Sequence, residues 1–169
     1  MGERRLIIDK DRVTYDGLFS LKEVIDIIYT WLKDKGYWPI DKKHIESIKS
    51  DGKFVEIETW PYKKVTDYAK NIIAIRILCT ELKEVVVEIE GKKKKLNQGK
   101  LQVIFDAYLE TDYEARWETK PIFYLLRTVF EKYVYTPFLS SFESNLRADE
   151  THLKTQIKGY LNLFQFYNK

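Results

Sequence analysis

The side chains best placed to do chemistry in this chain are carboxylates with a tyrosine and an arginine beside them. Asp106, Glu110, Asp112, Glu114 and Glu118 lie close together in sequence. Asp106 and Glu110 fall on one face of a strand, at a spacing that brings them toward Arg76 and Tyr108 on the same side of a sheet. Two carboxylates in unlike surroundings can divide acid and base roles. A cofactorless hydrolase or cyclase built from Asp106, Tyr108 and Arg76 is therefore one reading. With 26 acidic residues in the chain, a solvated sheet face explains the same cluster. Asp112, Glu114 and Glu118 suit a strand-to-helix turn, where acids favour a helix N-terminus.

A second chemistry is phosphate contact. The run Lys92, Lys93, Lys94 and Lys95 offers a salt-dependent anchor for a nucleic-acid backbone. Lysines on an edge strand also guard against edge-to-edge aggregation, and Glu88 and Glu90 flank the run. Aromatic and basic residues interleave at Trp60-Pro61-Tyr62-Lys63-Lys64 and again at Trp117, a pattern that suits stacking on bases or sugars and equally an interface or core. Trp60, Lys63 and Lys64 with the four lysines make up the nucleic-acid alternative. Arg76, Asp106, Tyr108 and Trp117 make up the small-ligand alternative.

Standard catalytic motifs are missing: there is no glycine-rich phosphate loop, dinucleotide fingerprint, nucleophile elbow or paired-histidine zinc helix. His44 and His152 are far apart, and Cys79 is the single cysteine, so neither an intramolecular disulfide nor a cysteine zinc site forms within one chain. No metal and no cofactor is expected, and a reducing, cytoplasmic setting fits. The N-terminal residues lack the apolar core of a signal peptide, Leu6 stands where a myristoylation motif needs Ser or Thr, and no segment has the length of a membrane span. The net charge of +3 arises from 29 basic and 26 acidic side chains, so no global nucleic-acid-type field is implied. Abundant Lys, Glu, Ile and Tyr with few Gly resembles thermophile composition.

These residues must be positioned by an α+β fold. Ser20 caps a first helix, Glu23 completes a capping box, and Leu21, Val24, Ile25, Ile28, Trp31 and Leu32 form its buried stripe up to Gly36. Arg12 to Tyr15 predicts a short strand turned by Asp16-Gly17. From Ile45 to about Trp117 the period is two: Ile45 to Lys49, Lys53 to Trp60, a central strand Ile72 to Thr80, then Val85 to Ile89. Lys92 to Leu96 returns as an edge strand, and Asn97-Gln98-Gly99 predicts a turn into Leu101 to Thr111. Ile122, Leu125, Leu126, Val129, Phe130, Tyr133 and Val134 then mark a helix that grips the sheet. Thr136-Pro137 interrupts it and opens a further helix reaching Phe164, with Leu139, Phe142, Leu146, Leu153, Ile157, Tyr160 and Leu161 on one side.

The expectation is a single domain over 1–169, with 137–169 a C-terminal helical extension and a curved antiparallel sheet of about 5–7 strands. Leu139, Leu146, Leu153 and Tyr160 partly follow a heptad, which makes self-association through 137–169 an alternative to packing on the sheet. The element order resembles the helix-grip arrangement of START-like and polyketide-cyclase-like proteins. That resemblance implies a curved sheet around an apolar cavity and transfers no residues; the single early helix and the segment after Pro137 depart from the pattern. The function expected is non-enzymatic binding of an apolar small molecule or a protein partner. Nucleic-acid association and START-like hydrolase or cyclase chemistry stand as alternatives.

Overall fold

The computed structural model describes residues 3–111, 129, 132 and 136–165. Its elements are β1 (Glu3–Phe19), α1 (Leu21–Lys35), β2 (Asp41–Lys49), β3 (Gly52–Thr59), β4 (Tyr62–Lys64), β5 (Ala69–Ile89), β6 (Lys92–Thr111) and α2 (Thr136–Phe164). The strands form a curved, unclosed antiparallel sheet in the order β1-β6-β5-β3-β2, with β4 paired to β5. Of the anticipated helix over Ile122 to Val134 only Val129 and Lys132 are among the described residues, and Trp117 lies outside them.

Helix α1 begins where its sequence directs. The Ser20 hydroxyl accepts the Glu23 N–H at 3.3 Å, and Gly36, at φ 74, closes the other end by donating to Leu32 and Lys33. The expected capping box is completed differently. The Ser20 N–H donates to the Tyr160 hydroxyl of α2 at 3.1 Å, and the Leu21 N–H donates to the Asn97 amide oxygen of β6 at 3.0 Å. Tertiary partners thus satisfy two of the free N–H groups at this helix start.

Strands β5 and β6 are longer than local turn signals suggest. Asn97-Gln98-Gly99, expected as a turn, is continuous strand paired with Lys83, Glu84, Leu18 and Phe19 on its two sides. The glycine has another purpose. A Cβ on Gly99 would stand 2.9 Å from the Thr80 carbonyl oxygen, because β5 bulges between Thr80 and Lys83 with Glu81 at φ 57. Asp16-Gly17 likewise continues β1 to Phe19, with Gly17 opposite Gly99. The Glu90-Gly91 turn is present, both residues having positive φ as a tight hairpin requires.

One face of the sheet is covered. Phe105, Val103, Leu101, Ile73, Ile75, Ile77 and Cys79 point toward α1 and α2, which contribute Val24, Ile28, Leu32, Leu146, Leu153, Ile157 and Leu161 to the same buried cluster. Leu146 and Leu153, the centre of the heptad-like series, lie inside this core. α2 therefore grips the sheet rather than extending away from it. The polar run Arg147 to His152 is continuous helix.

Candidate functional site on the open face of the sheet

The uncovered face carries the even-numbered residues of β6 and β5. Register sets Lys70 opposite Glu110, Ile72 opposite Tyr108 and Ala74 opposite Asp106, while β1 lays Arg4 opposite Glu110 and Leu6 opposite Tyr108. β3 brings Glu58 opposite Arg76. The sequence-predicted Arg76, Asp106 and Tyr108 thus share one face, and Trp60, from the nucleic-acid set, joins them.

Their partners decide what they can do. Trp60 stacks on Tyr108 with ring centroids 5.8 Å apart and planes 10° apart. The Arg4 guanidinium lies 5.7 Å from the Trp60 ring and 5.8 Å from the Tyr108 ring. Glu110 holds Arg4 at 2.9 Å and Lys70 at 3.2 Å. Glu58 accepts the Trp60 indole N–H at 2.7 Å and faces Arg76 at 3.7 Å. Asp106 accepts the Lys10 backbone N–H at 2.8 Å. Burial, helped by the Asp106 charge, pushes the Tyr108 phenol above its usual range. The carboxylates are committed to cations, an indole and a backbone amide. No nucleophile and base sit within reach of each other among these residues.

Beside this stack runs a groove of about 430 Å3 lined by Arg4, Ile40, Lys42, Trp60, Tyr62, Lys64, Lys70 and Ile72. Its floor is apolar and aromatic, and its rim carries four cationic side chains. The Lys70 ammonium also lies 5.9 Å from the Tyr62 ring. Sequence reasoning missed Arg4, Lys42 and Lys70. Arg4 left no period-two signal, because Glu3 to Asp11 runs in charged and apolar blocks and the strand shifts register twice there.

The lysine run is elsewhere. Lys92, Lys93, Lys94 and Lys95 occupy the β5–β6 hairpin tip, paired with Ile89, Glu88, Val87 and Val86. At strand rise they are about 50 Å along β6 from Tyr108. Lys64 lines the groove, whereas Lys63 turns its ammonium over the Tyr37 ring at 5.6 Å. The nucleic-acid residues therefore divide between two ends of the molecule. His44 belongs to exposed β2, bonded to Glu46 at 3.1 Å, and His152 accepts the Trp31 indole N–H at 2.7 Å. No group of three or more metal-ligating side chains is gathered among the described residues, and no described helix is long and apolar enough to cross a membrane.

One polar cluster lies where α2 meets β1. Lys154 bonds Asp11 at 2.5 Å, and Glu150, buried beside them, leaves one carboxyl oxygen without a partner. Burial, then the Asp11 charge, pushes the Glu150 carboxyl above its usual range. Burial also raises Asp11, but the Lys154 ammonium and the Arg12 N–H outweigh it and hold that carboxyl low. Two carboxyl groups with opposed shifts meet the electronic condition for acid and base work. The described grooves do not open onto them, so the cluster reads as a helix-docking contact. Comparison with family models, curated proteins and solved structures finds no match to this chain.

Proposed function

We propose that this chain is a non-enzymatic binding protein whose open-face groove takes a small ligand with a flat apolar body and an acidic group. The observation that carries the reading is the groove that Trp60 and Arg4 line with Lys42, Lys64 and Lys70, Tyr108 stacking on Trp60 beside it. A flat ring gains contact area on Ile72 and the aromatic floor, and a carboxylate or phosphate gains charge-assisted bonds at the rim. This differs from the cavity that a START-like arrangement implies. Among the described residues, Phe19, Phe105, Ile28, Leu32, Leu153 and Ile157 on the helix side of the sheet are all fully buried.

Calorimetric titration with 2-naphthoate, 2-naphthol and acetate tests the reading. Naphthoate should bind most tightly, because it alone offers both the ring and the charge. Equal weakness of all three would overturn it. A second reading, single-stranded nucleic acid, draws on the same alternation of rings and cations. In that case a short oligonucleotide displaces naphthoate and its affinity falls steeply with salt. The hydrolase or cyclase alternative draws least support, since Asp106, Glu110 and Glu58 are all engaged.

A further inference from the structure

The two outer strands of the sheet are built differently. β1 has register shifts between Leu6 and Ile8 and between Ile8 and Asp11, with Lys10 at φ 48. Irregularity of this kind turns an edge away from further pairing. β2 runs in unbroken register from Lys43 to Lys49, and among the described residues nothing pairs with its outer side. Along this edge Ile48 is 91% exposed, Trp38 70% and Ile45 42%.

Backbone phase shows which groups face outward. Ile40 accepts from the Trp60 N–H at 2.8 Å, and Trp38 exchanges bonds with Tyr62 at 2.8 and 3.0 Å, so both point inward. The bulge between Asp41 and Lys43 shifts that phase by one residue. Lys43, Ile45 and Ser47 then bond to β3, and His44, Glu46 and Ile48 present their N–H and C=O groups to the free side.

We propose that this edge joins two copies of the chain, β2 pairing antiparallel with β2 of a second copy about a two-fold axis at Ile45. The strand's own sequence is complementary to itself in that register. Within the unbroken stretch Ile45 meets Ile45, His44 meets Glu46 and Lys43 meets Ser47, so no like charges stand opposite each other there. His44 and Glu46 are also the residues with outward backbone groups, so each facing pair exchanges two ladder bonds. The second copy's turn after Lys49 comes down beside Ile40 and Trp38 and covers the exposed indole. A two-fold contact needs one self-complementary patch, and this edge supplies it. The heptad-like series of α2 does not, since Leu146 and Leu153 are fully buried in their own core.

Sedimentation velocity of the full chain should show a dimer. Ile45→Lys, which sets two ammonium groups face to face at the axis, should give a monomer with an unchanged circular dichroism spectrum. Glu46→Lys should weaken the dimer, and adding His44→Glu should restore it, because the swapped charges again face each other. Ile45→Cys with oxidised glutathione should form a disulfide-linked dimer, since non-hydrogen-bonded antiparallel partners have Cα atoms about 4.5 Å apart. Lys43→Cys, facing Ser47, should not. A wild-type monomer at high concentration, a dimer that survives Ile45→Lys, or cross-linking of Lys43→Cys in place of Ile45→Cys would each overturn the proposal. Cys79 is fully buried and does not compete in the oxidation.

Discussion

The two faces of one sheet use the same strands for opposite purposes. On β6, Leu101, Val103, Phe105, Ala107 and Leu109 are buried under the helices, while Gln102, Ile104, Asp106, Tyr108 and Glu110 remain partly open. Strand alternation alone separates them. The covered face gains stability by removing apolar area from water, and its residues are close to interchangeable in chemistry. The open face holds rings and charges in specific pairs, Trp60 with Tyr108 and Glu110 with Arg4 and Lys70. Mutation should therefore cost stability on one side and binding on the other.

The largest expected effect is Phe105→Ala. A fully buried ring at the sheet centre is lost, and the cost should be about 3–5 kcal/mol in denaturant unfolding. Ile157→Ala should cost about 2–5 kcal/mol by the same measurement, because α2 is part of that core. A loss below about 0.5 kcal/mol at Ile157 would mean that α2 is peripheral to the fold.

How much of this was legible in the sequence follows from the range of the interactions. α1 is specified by neighbours: Ser20, the apolar stripe and Gly36 all act within one helix. The interior place of β5 is marked by Ile72 to Cys79, apolar on both faces except at Arg76, with Ile72 and Ala74 buried even on the open face. Gly99 misled because glycine signals a turn and a close backbone approach alike, and the bulge that needs it lies on another strand. The groove was half legible. Trp60 and Lys64 of its lining were offered by the run at Trp60-Pro61-Tyr62-Lys63-Lys64, whereas Asp106, Tyr108 and Arg76 share the open face without lining the groove, and Arg4 reaches Glu110 from 106 residues away through β1 pairing. The Asp11–Lys154 contact spans 143 residues and has no local signature.

That contact gives a prediction of intermediate size that depends on pH. The Glu150 carboxyl is raised above its ordinary value of 4.5, so the fold holds its proton more tightly than the unfolded chain does. Its favourable contribution is full below 4.5 and declines as pH rises through the folded-state value. Glu150→Gln should therefore melt at a higher temperature than the wild type at neutral pH, and the gain should vanish below the ordinary Glu range. Asp11 acts in the opposite sense. Its carboxyl is lowered from 3.8, so its contribution is present above that value and is lost on acidification. A neutral-pH melting temperature for Glu150→Gln below that of the wild type would show that the ionised carboxyl helps to dock α2.

Smaller effects sharpen the contrast between the faces. Tyr108→Ala should cost about 1 kcal/mol in stability, from the lost stacking with Trp60, while weakening naphthoate binding at least several-fold. Lys94→Glu, at the exposed hairpin tip about 45 Å along β6 from Tyr108, should change stability by less than about 0.5 kcal/mol and leave naphthoate binding unchanged.

The central claim is that binding occurs on the open face at Trp60 and not between the sheet and its helices. Titration of 2-naphthoate into nitrogen-labelled protein, following the tryptophan indole N–H resonances, tests it most directly. Trp60→Phe identifies the Trp60 signal, and Trp31, stacked on Tyr37 and bonded to His152, reports on the helix side. A shift of the Trp60 resonance with the Trp31 resonance unmoved is the expected result. A shift confined to Trp31, with Trp60 unmoved, would contradict the account.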